Sequence, residues 1–72
     1  MRPLTAKRII TILEMNGFVL SRQKGSHHIF YNEETGVSVP VPCHGSNKVI
    51  PIGTFLAIVK QSKISRNKFS EK

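Results

Sequence analysis

The segment Lys24-Gly25-Ser26-His27-His28-Ile29-Phe30 gathers side chains that can do chemistry. It holds two of the three histidines of the chain, next to a cation and a hydroxyl. An imidazole takes and gives a proton near neutral pH, which suits general acid–base work. A lysine and a hydroxyl are groups that contact phosphate. RNA brings its own nucleophile, the 2′-OH. Removing the proton of that hydroxyl, or protonating the departing 5′-oxygen, cleaves the chain with neither a protein nucleophile nor a metal. One histidine, with cations to meet the charge that develops on the phosphorus, is a minimal toolkit for that reaction.

His27 and His28 are adjacent, so in a strand they point to opposite faces and only one can serve a given site. A strand histidine taken alone reads as a half-exposed residue without a role. Lys24 and Ser26 shift the balance here. Further along, His44 shares a loop with Cys43 and Lys48. It is open to three readings: a second acid or base, a phosphate contact, or a loop residue bonded to the backbone, the last slightly favoured. Lys48 reads as a phosphate contact or a solvated charge. A zinc site built from His27 or His28 with Cys43 and His44 has suitable ligand types, but the spacing fits no common zinc module. Cys43 as a nucleophile with a histidine base ranks lower still. Glu33 and Glu34 lie in a turn and read as solvated charges rather than a catalytic carboxylate pair. No cofactor is expected.

The elements that must position these groups fit in 72 residues, room for one small domain. A chain of this size buries only about 60% of its unfolded surface, so a site must be a shallow groove. Eleven Lys and Arg stand against four acids, a net charge of +7. A domain this basic is suited to a polyanion, and nucleic acid is the favoured partner. The single cysteine excludes an internal disulfide. No apolar run of signal-peptide or membrane-spanning length occurs, which points to the cytoplasm and away from a membrane.

Leu4 to Asn16 reads as a helix, with Thr5 as its N-cap, Leu4 and Ile9 as a hydrophobic staple and Asn16-Gly17 as its stop. Ile9, Ile10, Leu13 and Ile12 supply its apolar side. Phe18–Gln23, His27–Asn32 and Val37–Val41 read as three strands, with turns at Gly25 and at Glu33–Gly36. Pro40 cannot donate to a ladder, so the third strand is expected either to lie at an edge or to end early. Pro42–Ile50 is a loop. Pro51 opens a second helix near its N1 position, with an apolar stripe of Ile52, Phe55, Leu56 and Val59. Residues 65–72 form a basic C-terminal tail or a short helical turn, anchored by Phe69. The fold class is α+β: helix, three antiparallel strands, helix, with both helices on one sheet face and the other face open. Parity alone assigns His27 to neither face, because Ile29 and Phe30 are equally good core residues.

Four stretches, in this order, carry a family resemblance. They are Asn16-Gly17-Phe18; Arg22-Gln23-Lys24-Gly25-Ser26-His27-His28-Ile29-Phe30; Val39-Pro40-Val41-Pro42 with His44; and Gly53-Thr54 opening a helix that ends Ile58-Val59-Lys60-Gln61. Together they resemble HicA-type messenger-RNA interferase toxins, from Leu4 to about Phe69. The resemblance implies a fold like that of double-stranded-RNA-binding domains, cleavage of mRNA with arrest of translation, and a HicB-type antitoxin that covers the active site. It implies that the histidine directly after Gly-Ser, here His27, is catalytic, with Gly25 shaping the turn. Lys24, Gly25, Ser26, Arg22, Lys48 and His44 are the expected RNA contacts. The alternative from another class is a non-catalytic RNA-binding module, which reads shape and phosphate without needing a histidine.

Overall fold

A computed structural model describes residues 2–45 and 47–70. Ser46 of the expected loop and Glu71 and Lys72 of the expected tail lie outside the described residues.

The first helix, α1, spans Ala6–Met15. Thr5 caps it: its hydroxyl accepts from the Arg8 N–H at 3.2 Å, satisfying one of the orphan donors of the first turn. The helix begins at Ala6, two residues later than the expected start at Leu4, whose carbonyl instead accepts from the Ile50 N–H at 3.0 Å. That bond ties the chain entering α1 to the end of the loop that carries His44 and Lys48. Asn16 ends the helix, and Gly17 follows at φ +92°, a left-handed turn that an L side chain adopts only under strain.

Three strands follow: β1 Phe18–Lys24, β2 His27–Asn32 and β3 Val37–Pro42. They form an antiparallel sheet with β2 in the centre, so Pro40 does lie on an edge strand. Lys24 pairs with His27, which leaves Gly25-Ser26 as a two-residue hairpin turn. Gly25 has φ +60°, the conformation this first turn position demands. At the other end of β2, Asn32 is buried and holds the second turn together. Its side-chain oxygen accepts from the N–H groups of Glu34 (2.9 Å) and Thr35 (3.3 Å), and its amide donates to the Asn16 carbonyl at 3.2 Å. A polar side chain is stable there because each of its groups is used.

The second helix, α2, spans Ile52–Ser62. Pro51 stands at its N-cap, one residue before the expected N1 position, and no side chain caps the first turn. The expected stripe is also rotated. Phe55 and Val59 are buried, but Ile52 is 47% and Leu56 43% exposed; Ile58 and Ser62 are buried instead. The packed face is therefore Phe55, Ile58, Val59, Ser62, which has the same i, i+3, i+4, i+7 spacing. Ser62 is tolerated inside because its hydroxyl donates to the Val59 carbonyl and accepts from the Ile64 N–H. The tail forms a 3₁₀ turn, Arg66–Phe69, and Phe69 packs edge-on against Phe55 with ring centroids 6.1 Å apart.

Ile9, Ile12 and Leu13 of α1 and Phe55, Ile58 and Val59 of α2 form one buried cluster with Phe18, Phe30, Val39 and Val41. Both helices therefore cover the sheet face that carries Phe30. The result is the α-β-β-β-α arrangement of a double-stranded-RNA-binding-like fold. No described helix is long and apolar enough to cross a membrane.

Candidate functional site on the open sheet face

Phe30 faces the helices, so alternation along β2 sends His28 and Asn32 inward and His27, Ile29 and Tyr31 to the open face. Residues paired directly across an antiparallel ladder share a face. The β3 residues that pair with this outer row are Pro42, Pro40 and Ser38.

On β1 a bulge decides which side chains join them. Leu20 pairs with Phe30, yet Arg22, two residues on, pairs with the next residue, Ile29. Ser21 is the extra residue. A ladder without the bulge would set Ser21 against Ile29 and Gln23 against His27. With it, Arg22 lies opposite Ile29 and Lys24 opposite His27. Two cations thereby reach the open face beside the imidazole. Periodicity could not reveal this, because the bulge changes strand parity midway.

His44 comes to the same place from the loop after β3. Its ring centroid lies 6.4 Å from that of His27, with the ring planes at 78°. Both rings are exposed. They line a groove of about 360 Å³ together with Pro40, Pro42, Pro51 and Thr54. Among the described residues the His44 side chain makes no hydrogen bond to the backbone, and its ring stands edge-on to that of His27. The groove abuts the first turn of α2. That turn has neither a side-chain cap nor an acidic residue, so its orphan N–H groups keep the partial positive charge of a helix N-terminus. Thr54 and the first turn of α2 were not among the expected site residues. Their signal was Pro51, which cannot supply a side-chain cap.

Gly25 and Ser26 form the turn that ends this face. The Ser26 carbonyl accepts from the Cys43 N–H at 2.6 Å, which fixes the turn to the start of the His44 loop. Lys48 is not brought into the His27 groove. It lines an adjoining one with His44, Gly45 and Pro51, and its backbone N–H donates to the Gly45 carbonyl at 3.0 Å. Lys60 is more remote and lines a separate groove with Leu56, Lys63 and Arg66.

His28 lies on the helix side, in a groove with Ile10, Thr11, Glu14 and Cys43. The Cys43 Sγ donates to the Val41 carbonyl at 3.5 Å, and burial pushes the thiol pKa up. A thiol held in its neutral form is a poor nucleophile, which argues against the cysteine reading. Cys43 is also grouped with His28 rather than with His27 and His44. Among the described residues no three His, Cys, Asp or Glu side chains are placed to hold a metal ion. Of the described carboxylates, Glu14 stands in the His28 groove and Glu33 and Glu34 in the far hairpin turn, so none lines the His27 groove.

Residues 6–64 match the family model described as HicA toxin of bacterial toxin–antitoxin. The chain belongs to the HicA toxin family. No curated protein matches it. A HicA-family chain is the toxin of a toxin–antitoxin system, and such a toxin has an antitoxin for its partner. The matched span includes all three strands, both α-helices and the whole His27–His44 groove.

Proposed function

We propose that this HicA-family toxin is a metal-independent endoribonuclease that cleaves messenger RNA in the cytoplasm and so arrests translation. His27 is its general acid or base. Arg22 and Lys24 hold the RNA backbone, Gly25 and Ser26 shape the turn beside the scissile phosphate, and Lys48 extends the phosphate contact past His44. The antitoxin is of the HicB type and neutralises the toxin by covering the open sheet face.

One observation carries this reading. The β1 bulge sets Arg22 and Lys24 on the sheet face of His27, whose groove is lined by no described carboxylate. An imidazole groove lined by no described carboxylate, with cations on the same sheet face, suits a phosphodiester: the cations meet its charge and the imidazole moves the proton. The 2′-OH is the nucleophile, so no side chain need form a covalent intermediate.

The test is cleavage of a messenger RNA by the native chain and by His27→Ala, with EDTA present, after circular dichroism has shown both folded. The native chain is expected to cut and the variant to lose about 10²- to 10⁴-fold in rate, the usual range for a lost acid or base. Equal rates would remove His27 from the mechanism. Cleavage by the native chain that stops only on chelation would require a metal. Salt-sensitive binding without products would leave an RNA-binding module.

A further inference from the structure

We propose that His44 is the second proton carrier of this groove, so that His27 and His44 act as an acid–base pair on one phosphodiester. The inference rests on the ribonuclease reading above and extends it from one histidine to two.

RNA cleavage by the 2′-OH needs two proton transfers. One imidazole nitrogen takes the proton of the 2′-OH as the 2′-oxygen forms its bond to phosphorus. The other ring, entering as imidazolium, gives its proton to the 5′-oxygen as the P–O5′ bond breaks. The products are a 2′,3′-cyclic phosphate and a 5′-hydroxyl. The base ends protonated and the acid deprotonated, and exchange with water restores both. Attack is in line, so the attacking and leaving oxygens lie on opposite sides of the phosphorus. The two carriers must therefore flank a single phosphoryl group.

Three observations point to His44. Its ring centroid is 6.4 Å from that of His27. An acid or base acts from roughly 2.6–3.2 Å, measured at the ring nitrogen rather than at the ring centre, and both rings open onto the one groove where a phosphoryl group would sit. Second, neither imidazole is spent on a hydrogen bond among the described residues, and both are open to solvent. Third, the surroundings offer no better carrier. The groove is otherwise Pro40, Pro42, Pro51 and Thr54. The nearest charged groups lie outside its lining: Lys24 and Arg22 on the same sheet face from β1, and Lys48 in the adjoining groove; the first turn of α2 has no acidic residue. A guanidinium does not give up its proton in a protein, and no described imidazole other than those of His27 and His44 lines the groove. The uncapped first turn of α2 adds N–H dipoles beside the groove, where the phosphorane charge would grow.

The experiment compares the native chain, His27→Ala, His44→Ala and His44→Gln on two RNA substrates. One has the natural 5′-oxygen leaving group. The other has a 5′-bridging sulfur, which departs without protonation. His44 is exposed, so both variants should fold, and circular dichroism checks this. On the natural substrate, removal of His44 is expected to lower kcat by about 10²- to 10⁴-fold. The pH profile of kcat/KM should be bell-shaped for the native chain and lose one limb in each single variant. On the sulfur substrate one of the two alanine variants, the one lacking the acid, should return to within tenfold of the native rate, and the other should not.

A mere phosphate contact behaves differently. His44→Ala would then raise KM, keep kcat and both pH limbs, and be rescued by His44→Gln, which keeps a donor. That result overturns the pair while His27 stays in place. If neither variant is rescued by sulfur and His44→Ala retains both limbs, the pair is likewise refuted. If the native chain cuts neither substrate, the ribonuclease reading itself fails, and the pair with it.

Discussion

The cations that the β1 bulge delivers to the open face make a quantitative prediction about salt. Each phosphate neutralised on a single strand releases counterions and adds about −0.7 to the slope of log K against log salt. The proposed contacts are Arg22 and Lys24 on β1 and Lys48 in the loop. Three contacts give a slope of about −2.1, an affinity loss of about 18-fold between roughly 50 and 200 mM salt. Exchanging Arg22 and Lys24 together for Gln should leave one contact, a slope of about −0.7 and a loss of only about threefold over the same range. Fluorescence anisotropy of a labelled single-stranded RNA measures this without cleavage if the binding is done in the His27→Ala background. The control exchanges Lys7 on α1 and Lys63 after α2, exposed cations of the helix layer. It removes the same charge and should keep a slope near −2. The reasoning fails if the control flattens the slope as much as the β1 pair does, because binding would then follow net charge rather than the open face. It also fails if the β1 double variant keeps the native slope.

Three further outcomes follow from particular residues. Gly53 lies in the first turn of α2, and a Cβ there would meet nothing within 4 Å; Gly53→Ala should stabilise the fold by about 0.5–1 kcal/mol in a denaturant melt, while slowing RNA cleavage if the substrate backbone approaches that turn. Asn32→Asp keeps the acceptor for the Glu34 and Thr35 N–H groups but sets an unprotonated oxygen against the Asn16 carbonyl; a cost of about 2 kcal/mol is expected in the same melt, and a neutral result would show that the link from Asn32 to α1 carries no stability. Burial raises the Cys43 thiol pKa, so the folded state stays protonated where the unfolded thiol ionises. The associated stability is therefore intact below the ordinary thiol range and lost as pH rises through and above it; melts of the native chain should fall more steeply there than those of Cys43→Ser, and iodoacetamide should label the native thiol more slowly than a free one.

The elements were legible in the sequence wherever one local signal sufficed. Thr5 and Gly17 bracket α1, His27–Asn32 is the central strand residue for residue, and Pro40 marks an edge. The face of α2 was misread because hydrophobicity favoured Ile52 and Leu56, whereas the helix buries Ile58 and Ser62. Ser62 becomes an inward residue only when its hydroxyl finds the Val59 carbonyl and the Ile64 N–H. That is a tertiary compensation which a hydropathy pattern has no means to record. The burial of Asn32 is illegible for the same reason: a buried amide is acceptable only with its three partners in place, and two of them lie in the turn that it helps to form.

The site divides along the same line. That His27 and His28 must part company follows from strand geometry, but which of them faces the helices depends on Phe30 being the residue that enters the core. The placement of Arg22 and Lys24 depends on Ser21, an exposed residue with no chemistry of its own in the site. In a regular ladder Gln23 would stand opposite His27, and Lys24 would fall in the turn. One extra residue in an edge strand thus sets the charge of the open face. The approach of His44 to His27 depends on two backbone anchors: the Cys43 N–H on the Ser26 carbonyl, one residue before each histidine, and the Ile50 N–H on the Leu4 carbonyl. These fix both ends of the loop, one at the hairpin turn and one at the entry to α1. A loop held at both ends gives up little further entropy when it presents an imidazole, so a marginal domain can keep a two-histidine groove on its surface without a deep cavity to define it.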